Sequence, residues 1–426
     1  MPRCVLRRSD HSKVARNLAQ GRTPQGVLYS RLVAPVTGIR ANIRKRRPSY
    51  LFEYVRLGLT VLIFPFLFVP LPATAQTQSS SFEDLVASAT AAREQNDLPH
   101  AIELYGRAVQ TNPRWADGWW FLGSLQYSAG SYDAARDALT QYIGLTPNAA
   151  PAFAMRGLCE FETSDYVASL KDLQQGIQMG AAVQPRNAKI LRYHEALLLT
   201  RANRFEEALK NYDFFAHEDA PPNPELLIAV GLAGLRIPVL PKELAQDKMD
   251  LVSSAGKAAL DFMKGDRELA GGEFQSLFQK YPTAVNAHYF YGYLLYPIDV
   301  NQGAIEFRRE LDIAPDNATV EAVLAWILVL QDRVSEAMPY AEKAAAQDPN
   351  LPSVQLVLGK ALTETGDAKA GTEHLEKALT LQPGNLEVHL ALVKAYAETG
   401  RKEDARRERL LCLEMSKNNA QQTQRP

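Results

Sequence analysis

Metal or phosphate chemistry needs a few side chains at fixed spacing, and the 426-residue chain approaches such patterns without completing one. His194-Glu195 opens like the zinc-protease pattern, in which two histidines four residues apart on one helix face hold the metal. Position 198 is leucine, so the second ligand is missing. Gly256-Lys257 lacks the earlier glycine and the following Ser or Thr that a phosphate-cradling loop requires. His100, His217, His288, His374 and His389 are scattered one to a region. Cys4, Cys159 and Cys412 are too far apart for a disulfide framework or a metal site. The pairs Glu206-Glu207 and Glu403-Asp404 fall in the first turns of expected helices, where the helix dipole favours negative charge. No catalytic residue, metal site or cofactor is expected, and the chain reads as a non-enzyme.

The residues that remain of interest are aromatic. The stretch "NAHYFYGYLLYP", Asn286 to Pro297, carries Tyr289, Tyr291, Tyr293 and Tyr296 with Phe290 around one glycine. Whether these rings form a surface or a core depends on the helix faces they occupy, and those faces are set by a repeat. Pro113 and Pro147 are 34 residues apart, and Pro315, Pro349 and Pro383 keep the same interval. Each closes a similar phrase, from "AIELYGRAVQTNP" to "GTEHLEKALTLQP". Two helices of about a dozen residues, joined by short turns, can bury their apolar stripes against each other and against the next pair. Gly123, Gly157, Ala196, Ala258, Gly292, Ala325 and Gly359 recur at one slot and let paired helices approach closely. Gly130, Gly265, Gly366 and Gly400 fall where a helix must end and turn.

This pattern resembles the tetratricopeptide repeat, whose first helix carries Trp, Leu-Gly and Tyr and whose second carries Ala, an aromatic and a closing Pro. Trp119, Leu122-Gly123, Ala135 and Pro147 match it, with Gln126 in the Tyr slot and Leu139 in the aromatic slot. The register gives repeats near 82–115, 116–149, 150–183, 189–222, 251–284, 285–317, 318–351, 352–385 and 386–419. The resemblance implies an all-α fold, a right-handed α-solenoid of stacked helix-turn-helix repeats. An N-terminal arm is expected over 82–222 and a C-terminal arm over 251–419. Between them 223–250 reads as a degenerate half repeat, with an apolar helix from about Glu225 to Arg236 broken by Pro238 and Pro241. The polar tail 420–426 is expected to be disordered.

Alignment on the repeat at 116–149 places His288, Tyr291 and Leu295 on the side facing the repeat's own second helix, so Tyr291 is expected in the core. Tyr289, Tyr293 and Tyr296 form a separate stripe, matching Trp120, Ser124 and Tyr127. In the tetratricopeptide family the first helices line a concave surface that binds peptides. The resemblance thus assigns a partner-binding groove to Trp120, Tyr127, Tyr193, Tyr289, Tyr293, Tyr296 and Trp326. Rings at helical spacing also simply fill the curve between neighbouring helices, which is the competing reading. The family's carboxylate clamp is absent, since Val86, Thr90, Trp120, Phe121, Ser124, Ala154 and Met155 occupy the corresponding slots.

Charge is distributed unevenly. The chain has 47 basic and 48 acidic residues; 13 and 2 of these lie in 1–75, so the rest carries 34 and 46, a net of −12. That balance excludes nucleic acid as a partner. The basic segment 1–56 is expected to be disordered or an overextended start. The uncharged stretch 57–75 follows "RKRR" (Arg44 to Arg47) and ends in Ala73-Thr74-Ala75, the parts of a signal peptide cleaved after Ala75. Its rival is a membrane anchor, against which Pro65, Pro70 and Pro72 argue. The expectation is a scaffold exported to the periplasm or another extracytoplasmic space, binding a protein or peptide partner through its concave face. The alternative is a structural spacer in an envelope or secretion assembly, held in the inner membrane by 57–75.

Overall fold

The computed structural model describes residues 74–218 and 222–423. The basic segment 1–56, all but the last two residues of the 57–75 segment, and residues 424–426 lie outside the described residues. The chain divides into two compact units, Met1–Leu198 and Leu199–Pro426. All regular structure among the described residues is helical.

In the first unit, α1 (Thr74–Glu94), α3 (Ala116–Ser128) and α5 (Ala150–Glu162) pair with α2 (Leu98–Thr111), α4 (Tyr132–Leu145) and α6 (Tyr166–Gln178) as antiparallel hairpins. Each second helix then packs on the next first helix. The first part of α7 (Pro185–Arg201) completes the unit. The second unit contains α8 (Phe205–Ala216), α9 (Pro224–Gly234), α10 (Met249–Lys264), α11 (Arg267–Lys280), α12 (Ala287–Leu295) and α13 (Val300–Ile313). Three further hairpins follow: α14 (Ala318–Leu330) with α15 (Val334–Gln347), α16 (Pro352–Glu364) with α17 (Ala368–Leu381), and α18 (Leu386–Glu398) with α19 (Lys402–Thr423). The class is therefore an α-solenoid of stacked helix-turn-helix repeats, as the 34-residue period requires. Residues 420–423 continue α19, and their Ala-Gln-Gln run contains good helix formers.

Three local devices set the period. First, Asn96, Gly130 and Ser164, and again Asp332, Gly366 and Gly400, stand 34 residues apart with φ of 58°, 75°, 66°, 57°, 96° and 77°. The next amide reaches back five residues, as from Ser131 N to Gln126 O and from Asp367 N to Leu362 O, both 2.9 Å. This left-handed exit satisfies carbonyls that the helix end would leave open.

Second, the small slot is a steric requirement. A Cβ added at Gly123, Gly157 or Gly359 would lie 2.9, 2.9 or 2.7 Å from Leu139, Leu173 or Leu375, and one at Gly292 would lie 2.9 Å from Phe307. Those four partners are at most 1% exposed. Burying each is worth about 1.5–3 kcal/mol.

Third, the carbonyl of the closing proline accepts a hydrogen bond from the next first helix. Trp119 Nε1 donates to Pro113 at 2.9 Å, Gln355 Nε2 to Pro349 at 2.8 Å and His389 Nε2 to Pro383 at 2.9 Å. Where Glu321 holds the slot and cannot donate as a carboxylate, Lys343 reaches across from α15. It donates to Pro315 O at 2.7 Å and pairs with Glu321 at 2.6 Å. Different side chains thus perform one task, joining each closing turn to its successor.

The proline-broken stretch departs from this scheme. α9 is apolar all round, and Ala229 to Leu235 are buried without interruption. It crosses α10 at glycine on both sides. A Cβ at Gly231 would lie 1.9 Å from Val252 O, and one at Gly256 would lie 1.8 Å from Leu227 O. A turn and two short 3-10 segments, Pro241–Glu243 and Gln246–Lys248, replace the second helix a full repeat would have.

Candidate partner-binding surface

In the second unit the first helices α14, α16 and α18 lie side by side. Trp326, Lys360 and Lys394 occupy one slot in these three helices, 34 residues apart. The Trp326 indole is half-buried, packed on the clusters around Val357 and around Leu356 and Leu392. The Lys360 ammonium sits 4.5 Å from the indole centroid, a cation held over a π face. Lys394 pairs with Glu364 on α16 and lies 3.8 Å from Glu398. Leu330 at the end of α14 is 53% exposed, and Leu390 on α18 is 47% exposed. The result is a wall with an aromatic centre, two exposed leucines and two lysines, of which Lys394 is paired with glutamates of the same helices.

The tyrosine-rich helix α12 behaves differently. Tyr289, expected on the open groove, is instead a core residue at 5% exposure, packed among Phe307, Val320, Leu324 and Ile327. Its hydroxyl donates to Glu206 Oε1 at 3.0 Å and accepts from Arg236 Nη1 at 3.4 Å. Arg236 also pairs with Glu206, and its guanidinium stands 4.8 Å and 5.2 Å from the Phe205 and Tyr289 rings. The physical reason is the missing second helix after α9. The turn at Arg236, with φ of 57°, directs a cation toward the slot where a regular neighbour would leave space.

Phe290 is fully buried against Gly234, where an added Cβ would fall 1.9 Å from its ring. Tyr293 stacks on Tyr289 at 6.4 Å between centroids and is half-buried; Tyr296 packs on the edge of the same cluster. Burial and then the nearby Glu206 carboxylate push Tyr293 up to about 12, and burial lifts Tyr289 well above the usual phenol range. Neither is a base at neutral pH. Tyr291, expected in the core against its own second helix, is instead half-buried and turned toward the preceding hairpin, where it stacks on Phe274 of α11 at 4.5 Å and meets the edge of Phe262 of α10.

In the first unit, Trp120 packs at a tilt on Tyr142 and Tyr127 meets Tyr132 edge to face, both at 5.4 Å, over a cluster containing Leu139, Met155 and Cys159. Tyr193 meets the edge of His194 at 5.8 Å. The structure therefore groups Trp120 with Tyr127, and Tyr289 with Tyr293 and Tyr296, while Trp326 belongs to the next wall. Sequence reasoning missed Lys360, which the 34-residue spacing from Trp326 could have revealed. It also missed Glu206 and Arg236, for which no local signal exists.

Other candidate chemistry resolves into packing. His288 stacks on Phe278 at 3.8 Å and binds Glu306 at 2.6 Å; His374 binds Gln355 at 2.7 Å. Among the described residues no group of three or more His, Cys, Asp or Glu could hold a metal ion. A surface depression of about 1230 Å³ between α10 and α11 is lined by Lys257, Leu269, Gly272, Glu273 and Lys280. Its lysines are already paired, Lys257 with Asp261 and Glu273, Lys280 with Asp250.

Stacked hairpins with a recurring left-handed exit and a proline-closed turn define a helical-repeat protein, the class that presents side-by-side first helices as a surface. Models of the tetratricopeptide-repeat family match residues 86–150 in the first unit and 362–408 in the second. No curated protein matches the sequence. Among solved structures, MamA AMB-1 is 25% identical, with 39% of this chain and 98% of that chain covered and a TM-score of 0.32. MamA from Desulfovibrio magneticus RS-1 is 17% identical, with 39% and 96% covered and a TM-score of 0.34. YrrB, described as a tetratricopeptide-repeat protein with an unusual peptide-binding site, is 18% identical, with 40% and 88% covered and a TM-score of 0.33. No helix of the described residues is long and apolar enough to cross a membrane.

Proposed function

We propose that the protein is a non-catalytic scaffold that holds a protein or peptide segment against the wall formed by α14, α16 and α18. The observation that carries this reading is the row of Trp326, Lys360 and Lys394 between exposed Leu330 and Leu390. A half-buried tryptophan on a wall that also exposes Leu330 and Leu390 offers contact area, and aromatic anchors of this kind dominate binding energy. Lys360, beside the indole, would set the orientation of the bound segment. Trp120 and Tyr127 are a secondary surface in the first unit. The basic N-terminal segment followed by the uncharged 57–75 stretch supports export, with a mature chain starting at Gln76.

The test is affinity capture from the envelope fraction with the full chain and its Trp326→Ala/Leu390→Ser variant. The variant should lose a partner that the wild type retains, at unchanged helicity. Equal recovery would remove this wall from the account. N-terminal sequencing of the exported protein checks the start at Gln76; an intact leader would point to anchoring.

A further inference from the structure

We propose that Glu160, Asp172 and Arg156 form a proton-operated lock in the first unit, in which a proton on Glu160 tightens the α5–α6 hairpin and its loss loosens it. Two carboxylates and one guanidinium are closed between these helices. Asp172 takes the guanidinium with both oxygens, at 2.5 Å from Nε and 3.0 Å from Nη2. Glu160 receives the remainder: its Oε1 stands 3.9 Å from Arg156 Nε, and its Oε2 is buried with no hydrogen-bond partner. Glu160 is 6% exposed and Asp172 4%. When both are charged, the Arg156 guanidinium is engaged by Asp172 and the buried Glu160 carboxylate has no hydrogen-bonded counter-ion, which is costly. Glu160 also lies in the last turn of α5, at the negative end of that helix's dipole.

The neighbouring α7 brings His194 edge-on to Phe161, the residue after Glu160, at 4.9 Å, and Glu195 to Gln174 of α6 at 3.1 Å. Arg136 on α4, Arg156 on α5, and Asp165 and Asp172 at the start and middle of α6 act on Glu160. α3 has one charged residue, Asp117, in its first turn. Burial first, then Asp172, raise the Glu160 carboxyl to about 7, with Arg156 opposing. The adjacent Cys159 thiol is pushed by burial to about 12 and stays protonated. The folded value exceeds the ordinary carboxylate value, so the stabilising contribution is full in acid and is lost as pH rises through about 7. Met155 and Cys159, on the same helix, carry the Trp120 and Tyr127 rings. The lock therefore lies under that aromatic surface.

Hydrogen exchange of the full chain at pH 5.5 and 8.5, normalised to intrinsic chemical exchange, tests the proposal. Protection of α5–α6 amides should fall at least about tenfold at the higher pH, and Glu160→Gln, which mimics the protonated acid, should abolish the difference. Asp172→Asn frees Arg156 for Glu160 and should move the transition to lower pH. A wild type whose pH dependence equals that of Glu160→Gln would overturn the lock. Carboxyl-carbon NMR of Glu160 in the wild-type chain decides the matter should a variant fail to fold: a midpoint near 7 supports it, and one below about 5 refutes it.

Discussion

Replacing Gly256 by alanine separates two physical effects of opposite sign. Helix propensity alone favours alanine by about 1 kcal/mol in a helix interior. The structure predicts the reverse at this position. The new Cβ would lie 1.8 Å from Leu227 O and 2.8 Å from the Gly231 amide nitrogen, and both are backbone atoms that no rotamer change can move. An ordinary carbon–oxygen contact needs about 3.3 Å or more, so α9 and α10 must part by over an ångström. That separation loosens a seam in which Ala229, Val230, Leu232 and Val252 are fully buried. Overpacking of a close-packed interior costs about 1–3 kcal/mol, and a net loss of up to about 2 kcal/mol remains after the propensity gain of about 1 kcal/mol. Gly272→Ala in the middle of α11 is the control, because nothing lies within 4 Å of its added Cβ. It should stabilise by about 0.5–1 kcal/mol. Urea unfolding followed by circular dichroism, with hydrogen exchange of α9–α10 amides as the local readout, measures both. If Gly256→Ala proved as stable as Gly272→Ala, the close crossing would be wrong.

Phe290→Ala empties the seat above Gly234 and should cost about 3–5 kcal/mol, read as a lower urea midpoint. Tyr289→Phe removes the hydroxyl from Glu206 and should cost about 1 kcal/mol; no change in stability would return Tyr289 to the open groove where the sequence had put it. Gly366→Ala, at φ of 96°, should lower the thermal midpoint through about 1–2 kcal/mol of backbone strain.

The legible part of the fold was whatever repeats locally. The 34-residue proline interval, the small slot facing Leu139, Leu173 and Leu375, and the turn glycines Gly130, Gly366 and Gly400 each report a contact made within one hairpin or with the next. Such contacts recur in sequence because they recur in space. Tyr289 was misplaced because slot alignment assumes that every first helix meets a regular predecessor. α12 instead meets a segment whose second helix is missing, and Glu206 and Arg236, 83 and 53 residues away, decide its environment. No periodicity encodes a contact made once. Lys360 was overlooked for another reason: only the structure shows its ammonium over the Trp326 ring rather than free in solvent.

The proposed partner would lie against α14, α16 and α18. Placing a photo-activated crosslinking residue at Leu330 or Leu390, and as a control at exposed Lys369 on α17, tests this placement in the full chain under native expression. One discrete adduct is expected from each of Leu330 and Leu390 and none from Lys369. Adducts that form equally from Lys369, or that fail to form at either leucine, would contradict it.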